Sequence, residues 1–294
     1  MGARVLITGG AGFVGSHLAA RLAGESEVRV LDDLSVGRRE HVPSGAELVV
    51  GDLADPAALA RALEGVEVVY HLAARHFIPA CDADPVGTLR VNVLGTQALL
   101  CALPASVRAL VFASTAAVYA PAAIAHREED AAGPTDVYGR SKWFGEALVR
   151  ASAVPTVVAR LFNVYGVRET NPHLIPDLLA QLARGAVKLG NLVPARDYVD
   201  ARDAAEALAR LASHATPGGV VVNVGTGREA TVREVVQLVA RAAGRPLAIE
   251  VDPARQRRSD REHLRADSTR LHRLTGLAPF RSLEEGLADL VRAP

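Results

Sequence analysis

The strongest constraint on this chain lies in its first twenty-odd residues. Arg4-Val5-Leu6-Ile7-Thr8 is a short, β-branched apolar run, the composition of a strand. It passes directly into Gly9-Gly10-Ala11-Gly12-Phe13-Val14-Gly15 and then into Ser16-His17-Leu18-Ala19-Ala20-Arg21-Leu22, whose apolar spacing is helical. Each glycine meets a separate need. Gly9 takes the tight turn out of the strand. Gly12, lacking a Cβ, lets a pyrophosphate approach the backbone, and Gly15 lets helix and strand pack closely. The helix N-terminus adds free N–H groups and a positive dipole end. The spacing is Gly-x-x-Gly-x-x-Gly rather than the commoner Gly-x-Gly-x-x-Gly, so its weight comes from context. That context includes an acid at the end of a second apolar strand, Val28 to Leu31. Asp32 stands about 20 residues beyond the glycines, where a carboxylate meets the adenosine ribose hydroxyls. It repels a 2′-phosphate, so NAD is expected over NADP, although Arg38 and Arg39 soften that preference. The alternative is that Asp32 and Asp33 only begin a polar loop.

The remainder of the composition narrows the class. With 294 residues, 49% of them hydrophobic, the chain can bury a substantial core in one or two domains. Its 33 basic and 33 acidic residues balance, which argues against bulk binding to nucleic acid or anionic membrane. No apolar run is long enough to span a bilayer. The first strand begins at once, leaving no room for a signal peptide. Two cysteines, Cys81 and Cys101, imply no disulfide framework, and His and Cys lack metal-ligand spacing. A cytoplasmic, metal-free protein is expected. Only two of the cations are lysines, Lys142 and Lys188, so a lysine here can mark a place that needs an ammonium.

Further strands are expected at Glu47 to Val50, Val66 to Tyr70 and Val107 to Phe112, with helices at Pro56 to Leu63 and from about Pro85 to Ala102. Asp52 can reach an adenine edge or cap the helix at Pro56. The small residues of His71-Leu72-Ala73-Ala74 leave ligand space at a strand's carboxyl end. Strands and amphipathic helices alternate to about residue 160, which predicts an α/β fold with a doubly wound parallel sheet. Tyr138-Gly139-Arg140-Ser141-Lys142 opens a helix to about Ala151. Positions i and i+4 share a helical face, so Tyr138 and Lys142 point the same way. An ammonium beside a phenol favours the phenolate, which can serve as base at an alcohol carbon. Beyond this, helices are expected at Leu174 to Arg184, Asp200 to Ser213, Thr231 to Ala243, and near Asp267 to Thr275 and Leu283 to Arg292. Strands are expected at Val187 to Leu189, Val220 to Val224 and Leu247 to Val251.

Taken together, the chain resembles the extended short-chain dehydrogenase/reductase superfamily, in its NAD-dependent sugar-nucleotide epimerase/dehydratase branch, over nearly its whole length. The resemblance rests on Thr8 to Gly15, Asp32-Asp33-Leu34, Gly51-Asp52-Leu53, His71 to Ala74, Asn92-Val93-Leu94-Gly95-Thr96, Ser114 to Tyr119, Tyr138 with Lys142, Arg160 to Gly166, and Arg196-Asp197-Tyr198-Val199. It implies a Rossmann-type domain over residues 1–165, with returning segments at about 196–224. A smaller C-terminal α/β substrate-binding domain would span residues 166–195 and 225–294. It implies that Tyr138 is the catalytic acid/base, Lys142 its pKa-lowering partner on the nicotinamide ribose, and Thr115 the hydroxyl bonding the reacting sugar oxygen. Gly9, Gly12, Phe13, Val14 and Gly15 would hold the pyrophosphate, and Asp32 and Asp33 the ribose. Asp52 and Leu53 would meet the adenine, with Leu72, Ala73, Ala74 and Asn92 completing the cofactor site. Asn163 would face a nucleotide-diphosphate sugar, whose diphosphate Arg196 and Arg257 would bind, unless these are surface cations. The helices at Pro85–Ala102 and Tyr138–Ala151 would build a homodimer.

The segment after Thr115 separates the reactions of this branch. Its 4,6-dehydratases carry an Asp-Glu pair there and its UDP-glucuronate decarboxylases a Glu. Ala116 and Ala117 can do neither job. A 4-epimerase needs neither, and a UDP-sugar 4-epimerase of hexose or hexuronate type is the reading adopted. In it C4 is transiently oxidised, the 4-keto sugar turns over and is re-reduced. The alternatives are an unusual nucleotide-sugar dehydratase, a dehydrogenase or reductase of a non-sugar alcohol, and a non-catalytic NAD-binding regulator. Several positions depart from the pattern: Thr115 where Ser is common, Ala120 where Gly follows Val-Tyr, and the Arg75-His76-Phe77 and Cys81 loop. His76 reads as loop packing, and His173 as a helix-start residue or a sugar contact.

Overall fold

The computed structural model describes residues 2–255 and 261–292; Arg257 lies outside the described residues. The strands of the large sheet are β1 (Arg4–Thr8), β2 (Glu27–Asp32), β3 (Glu47–Val50), β4 (Val68–His71), β5 (Ala109–Thr115), β6 (Thr156–Leu161) and β10 (Val220–Val224). They lie in the order β10-β6-β5-β4-β1-β2-β3, and every neighbouring pair is parallel. The chain starts in the middle, runs outward to β3, then crosses β1 to reach β4. That reversal opens a crevice at the carboxyl ends of β1 and β4. The doubly wound α/β architecture expected from the sequence is present.

Between and beyond these strands come α1 (Phe13–Leu22), α2 (Pro56–Leu63), α3 (Ile78–Ala83), α4 (Pro85–Leu89), α5 (Gly95–Ala102), α6 (Val137–Ala151), α7 (Leu174–Gln181), α8 (Ala201–Leu211), α9 (Val232–Ala242), α10 (Thr269–Thr275) and α11 (Leu283–Arg292). Side chains alternate across the sheet. Val5, Ile7, Val28 and Val30 bury one face against Leu18, Leu22, Leu208 and Leu211 of α1 and α8. Leu6, Leu31, Leu110 and Phe112 bury the other against Leu59, Leu63, Leu99 and Val149 of α2, α5 and α6.

A smaller unit stands beyond β6. Here β9 (Ala195–Asp200) pairs with β7 (Asn163–Tyr165), β11 (Glu229–Thr231) and β13 (His263–Leu264), while β8 (Ala186–Leu189) pairs with β12 (Ala248–Val251). Tyr165, Ile175, Leu178, Val187, Tyr198, Val235, Val239 and Leu287 form its own core. Within residues 196–224, α8 packs on the large sheet and β10 pairs in it, whereas β9 pairs in the smaller one. Thr231 and Glu234 form a reciprocal capping box that fixes the start of α9.

The helix expected from Pro85 to Ala102 is present without a break, but it is not α-helical throughout. Between α4 and α5 the backbone widens into a π-helical turn over Arg90–Leu94. Such a turn adds a residue and re-aims side chains. Asn92 sits in this turn.

Candidate active site

One cleft of about 1410 Å³ runs along the carboxyl ends of the large sheet and under the smaller unit. At its cofactor-sized end lies the glycine turn. Gly9 has φ +71°, and a Cβ there would sit 2.7 Å from the Ala73 nitrogen. A Cβ on Gly15 would lie 2.2 Å from the Gly9 carbonyl oxygen, so only glycine lets α1 start this close to the turn. Gly12 is different: a Cβ would meet only the Gly9 oxygen, at 3.2 Å, among the described residues. Its remaining surroundings are open cleft. Gly12 is the N-cap of α1 and has no side chain to occupy the first-turn N–H groups. Phe13, Val14 and Gly15 line the cleft at that helix end, where an anion is favoured.

Asp32 closes β2 beside the turn. Its Oδ2 accepts from the Ala11 N–H and its Oδ1 from the Leu34 N–H, both at 2.9 Å. Each oxygen keeps a lone pair for a hydroxyl donor. Asp33 accepts from the Ser35 N–H and hydroxyl, and so shapes the loop that follows. Asp52 accepts from the Ala54 N–H, whereas the cap of α2 is Asp55, which accepts from the Ala57 N–H. Asp52 is therefore not the cap of α2; it lines the cleft, together with Leu53, Leu72, Ala73 and Ala74. The turn, the helix terminus and the carboxylate fit a dinucleotide. Beneath them, Thr8 Oγ1 bonds His71 Nδ1 (2.7 Å), His71 Nε2 bonds Thr96 Oγ1 (2.8 Å), and Thr96 donates to the Asn92 carbonyl. Burial pushes His71 down to about 3, so this strut stays neutral.

Asn92 stands one layer behind the cleft. Its Oδ1 accepts from the Arg75 N–H, and its Nδ2 donates to the Arg75 carbonyl and to Ser141 Oγ, each at 2.8 Å. It fixes the loop after β4 to the start of α6.

The far end of the cleft is built by β5 and α6. Asp136 caps α6 by accepting from the Gly139 N–H at 2.7 Å. A Cβ on Gly139 would lie 2.6 Å from the Ala117 oxygen. The glycine therefore lets the helix start close against the turn that follows Thr115, and this brings the Tyr138 side chain beside Thr115. Lys142, one turn on, is buried, and its Nζ lies 4.3 Å from the centre of the Phe112 ring. Burial pushes the Tyr138 phenol above its ordinary value, against the opposing Thr115 bond. Burial pushes Lys142 down to about 7, partly offset by Glu146. The sequence argument expects a lowered phenol pKa; desolvation reverses that direction here.

Behind Lys142, Glu146 bonds Ser114 Oγ (2.5 Å) and holds Arg160 through two bonds of 2.9 and 2.8 Å. Asn163 is exposed in the cleft. Arg196 also lines it, and donates to the Ala195 and Arg261 carbonyls. Three cleft features were not legible as a site. Glu169 faces His173 (3.3 Å) and bonds the Asn171 N–H, while the Asn171 Nδ2 meets His76 Nε2 at 2.9 Å. This links the loop after β4 to the segment before α7. Arg261 also reaches the cleft, but in the sequence it is one cation in a run of them.

The sequence pattern of the NAD dependent epimerase/dehydratase family matches residues 5–225. The GDP-6-deoxy-D-mannose reductase of Pseudomonas aeruginosa is 33% identical over 305 residues, covering 98% of this chain and 96% of the relative. The UDP-glucose 4-epimerase of Azospirillum brasilense is 33% identical over 315 residues, covering 97% and 89%. The crystal structure of the Thermus thermophilus UDP-glucose 4-epimerase in complex with NAD superimposes with a TM-score of 0.88 at 34% identity, covering 98% of this chain and 99% of that one.

Proposed function

This chain belongs to the NAD-dependent epimerase/dehydratase family and uses NAD as its cofactor, and we propose that within that family it is a UDP-sugar 4-epimerase. The observation that carries the reading is local. Tyr138 stands beside Thr115 in the same cleft as the glycine turn, and the two residues after Thr115 are alanines. A proton can be handled at one oxygen, but positions 116 and 117 offer no second acid or base for loss of water or carbon dioxide.

In this reading the turn residues Gly9, Gly12 and Gly15 with Phe13 and Val14 hold the pyrophosphate, Asp32 and Asp33 the ribose, and Asp52 and Leu53 the adenine. Bound NAD supplies the acceptor, and then the donor, for the hydrogen of C4. Tyr138 takes the O4 proton and later returns it, and Thr115 bonds the same oxygen. Lys142 holds the nicotinamide ribose, one helical turn from the phenol. Asn92 works indirectly, by fixing the Arg75 loop. Asn163 and Arg196 face the sugar nucleotide, Arg196 on the diphosphate side.

Purified protein without added cofactor, offered a panel of UDP-, GDP- and dTDP-sugars, is expected to give one product of unchanged mass. A product lighter by one water would overturn the reading. The relative named a GDP-6-deoxy-D-mannose reductase supports a second reading, an oxidoreductase acting on a nucleotide sugar; stoichiometric consumption of added NADH or NADPH would replace the first with it.

We also propose a homodimer. Val86, Leu89, Leu94, Trp143 and Phe144 are exposed on α4, the π-helical turn and α6, an apolar patch of the kind that marks an interface. Light scattering at micromolar concentration is expected to return the dimer mass, and a monomer mass would reject it.

A further inference from the structure

The side chain of Arg261 crosses the cleft wall to the Ala117 carbonyl (3.0 Å), the Ala116 carbonyl (3.5 Å) and Thr135 Oγ1 (3.4 Å). All three acceptors are neutral. Two other cleft arginines are matched by acids: Arg75 by Asp84 at 2.5 Å, Arg255 by Asp177 at 2.9 Å. Among the described residues no carboxylate lies within ion-pairing distance of Arg261. The acid whose charge it feels is Asp136, whose Oδ1 is committed to capping α6. The guanidinium stays charged even where burial disfavours it. A half-buried cation with neutral partners carries a desolvation cost that an anionic ligand would offset.

Its location says which anion. Ala116 and Ala117 follow Thr115, and Thr135 precedes Tyr138 by three residues, so the cation stands beside the groups assigned to O4. The residues assigned to the adenosine lie across β1, at the ends of β2 and β3. The methyl groups of Ala116 and Ala117 leave room there and bring no negative charge. We propose that Arg261 is a specificity-determining residue that binds a carboxylate on C5 of the sugar, so that the substrate class is a nucleotide-activated hexuronate. A planar guanidinium matches a carboxylate bidentately. This rests on the 4-epimerase reading. The other anion of the same chemistry is the nucleotide's diphosphate, and the test separates the two.

The test compares kcat/KM for UDP-glucuronate and UDP-glucose in the full-length, NAD-loaded protein, in Arg261→Gln and in Arg261→Lys. The wild-type protein is expected to favour UDP-glucuronate on the order of 100-fold. Arg261→Gln should lose that preference while changing UDP-glucose turnover by less than about threefold, and Arg261→Lys should recover part of it. Equal losses on both sugars would assign Arg261 to the diphosphate or the framework and overturn the proposal. So would a wild-type preference for UDP-glucose. If neither sugar is epimerised, the 4-epimerase reading fails by itself. Thermal-shift titration with UDP-glucuronate and UDP-glucose then still reads the carboxylate, and an identical response of wild type and Arg261→Gln to both would overturn the assignment.

Discussion

Replacing Tyr138 with Phe is expected to lower turnover by about 10²–10⁴-fold while leaving NAD bound. The substitution removes one oxygen and keeps the ring. What is lost is the hydroxyl that meets Thr115. The cap of α6, the close approach at Gly139 and the glycine turn do not involve that oxygen. Cofactor content per chain, measured after denaturation, should therefore match the wild type, and the melting temperature should move little. Retained activity in Tyr138→Phe would remove the residue from the chemistry; loss of bound NAD would make it a cofactor ligand first.

Glu146→Gln is expected to destabilise the fold by about 3–5 kcal/mol, because it leaves a buried guanidinium without its counter-charge. Arg160 and Glu146 side chains are 7% and 4% exposed and joined by two hydrogen bonds. By contrast, Arg38 and Glu40, 60% and 68% exposed at 3.8 Å, are a pair of the kind that contributes about 0–1 kcal/mol. The urea midpoint reads the difference, and a loss below about 1 kcal/mol would mean that the buried charges are not coupled. The same carboxylate is the group that raises Lys142 against burial. Lys142 near 7 lies far below the ordinary lysine value of 10.5. The unfolded chain therefore binds a proton that the folded chain does not between those values, and this group's contribution to stability rises with pH across that window. Removing the Glu146 charge moves Lys142 lower still and widens the window downward.

Some elements could be read residue by residue from the chain because their signals are local. Glu47–Val50, Pro56–Leu63, Val220–Val224 and Leu283–Arg292 have the bounds that composition and period suggest. The glycine turn was legible because each glycine answers a steric demand within a dozen residues. Asn92 was singled out only through the resemblance, and the π-helical turn that carries it was not legible, because nothing in Arg90–Leu94 announces an extra residue; the widening serves contacts to Arg75 and Ser141, 17 and 49 positions away. Arg261 was hidden for a similar reason. Its acceptors lie 126 to 145 residues upstream. The direction of the Tyr138 shift was missed because the i to i+4 relation gives proximity to Lys142 but says nothing of desolvation, and desolvation dominates both groups.

The position of β10 has a consequence for how this chain is made. Strand β6 has β5 on one side and receives β10 on the other, after an excursion of more than fifty residues through the smaller unit. As the chain leaves the ribosome, the first six strands emerge well before the seventh. During that interval Thr156-Val157-Val158-Ala159-Arg160-Leu161 is a free edge, with an open ladder of backbone donors and acceptors. A nascent chain is then most open to pairing with a neighbouring chain on the same message. Arg160, at the carboxyl end of this strand, is the one charge in that segment. A charge on an edge strand discourages such contacts. The residue that holds Glu146 in the core thus also stands on that edge until Val220–Val224 arrives.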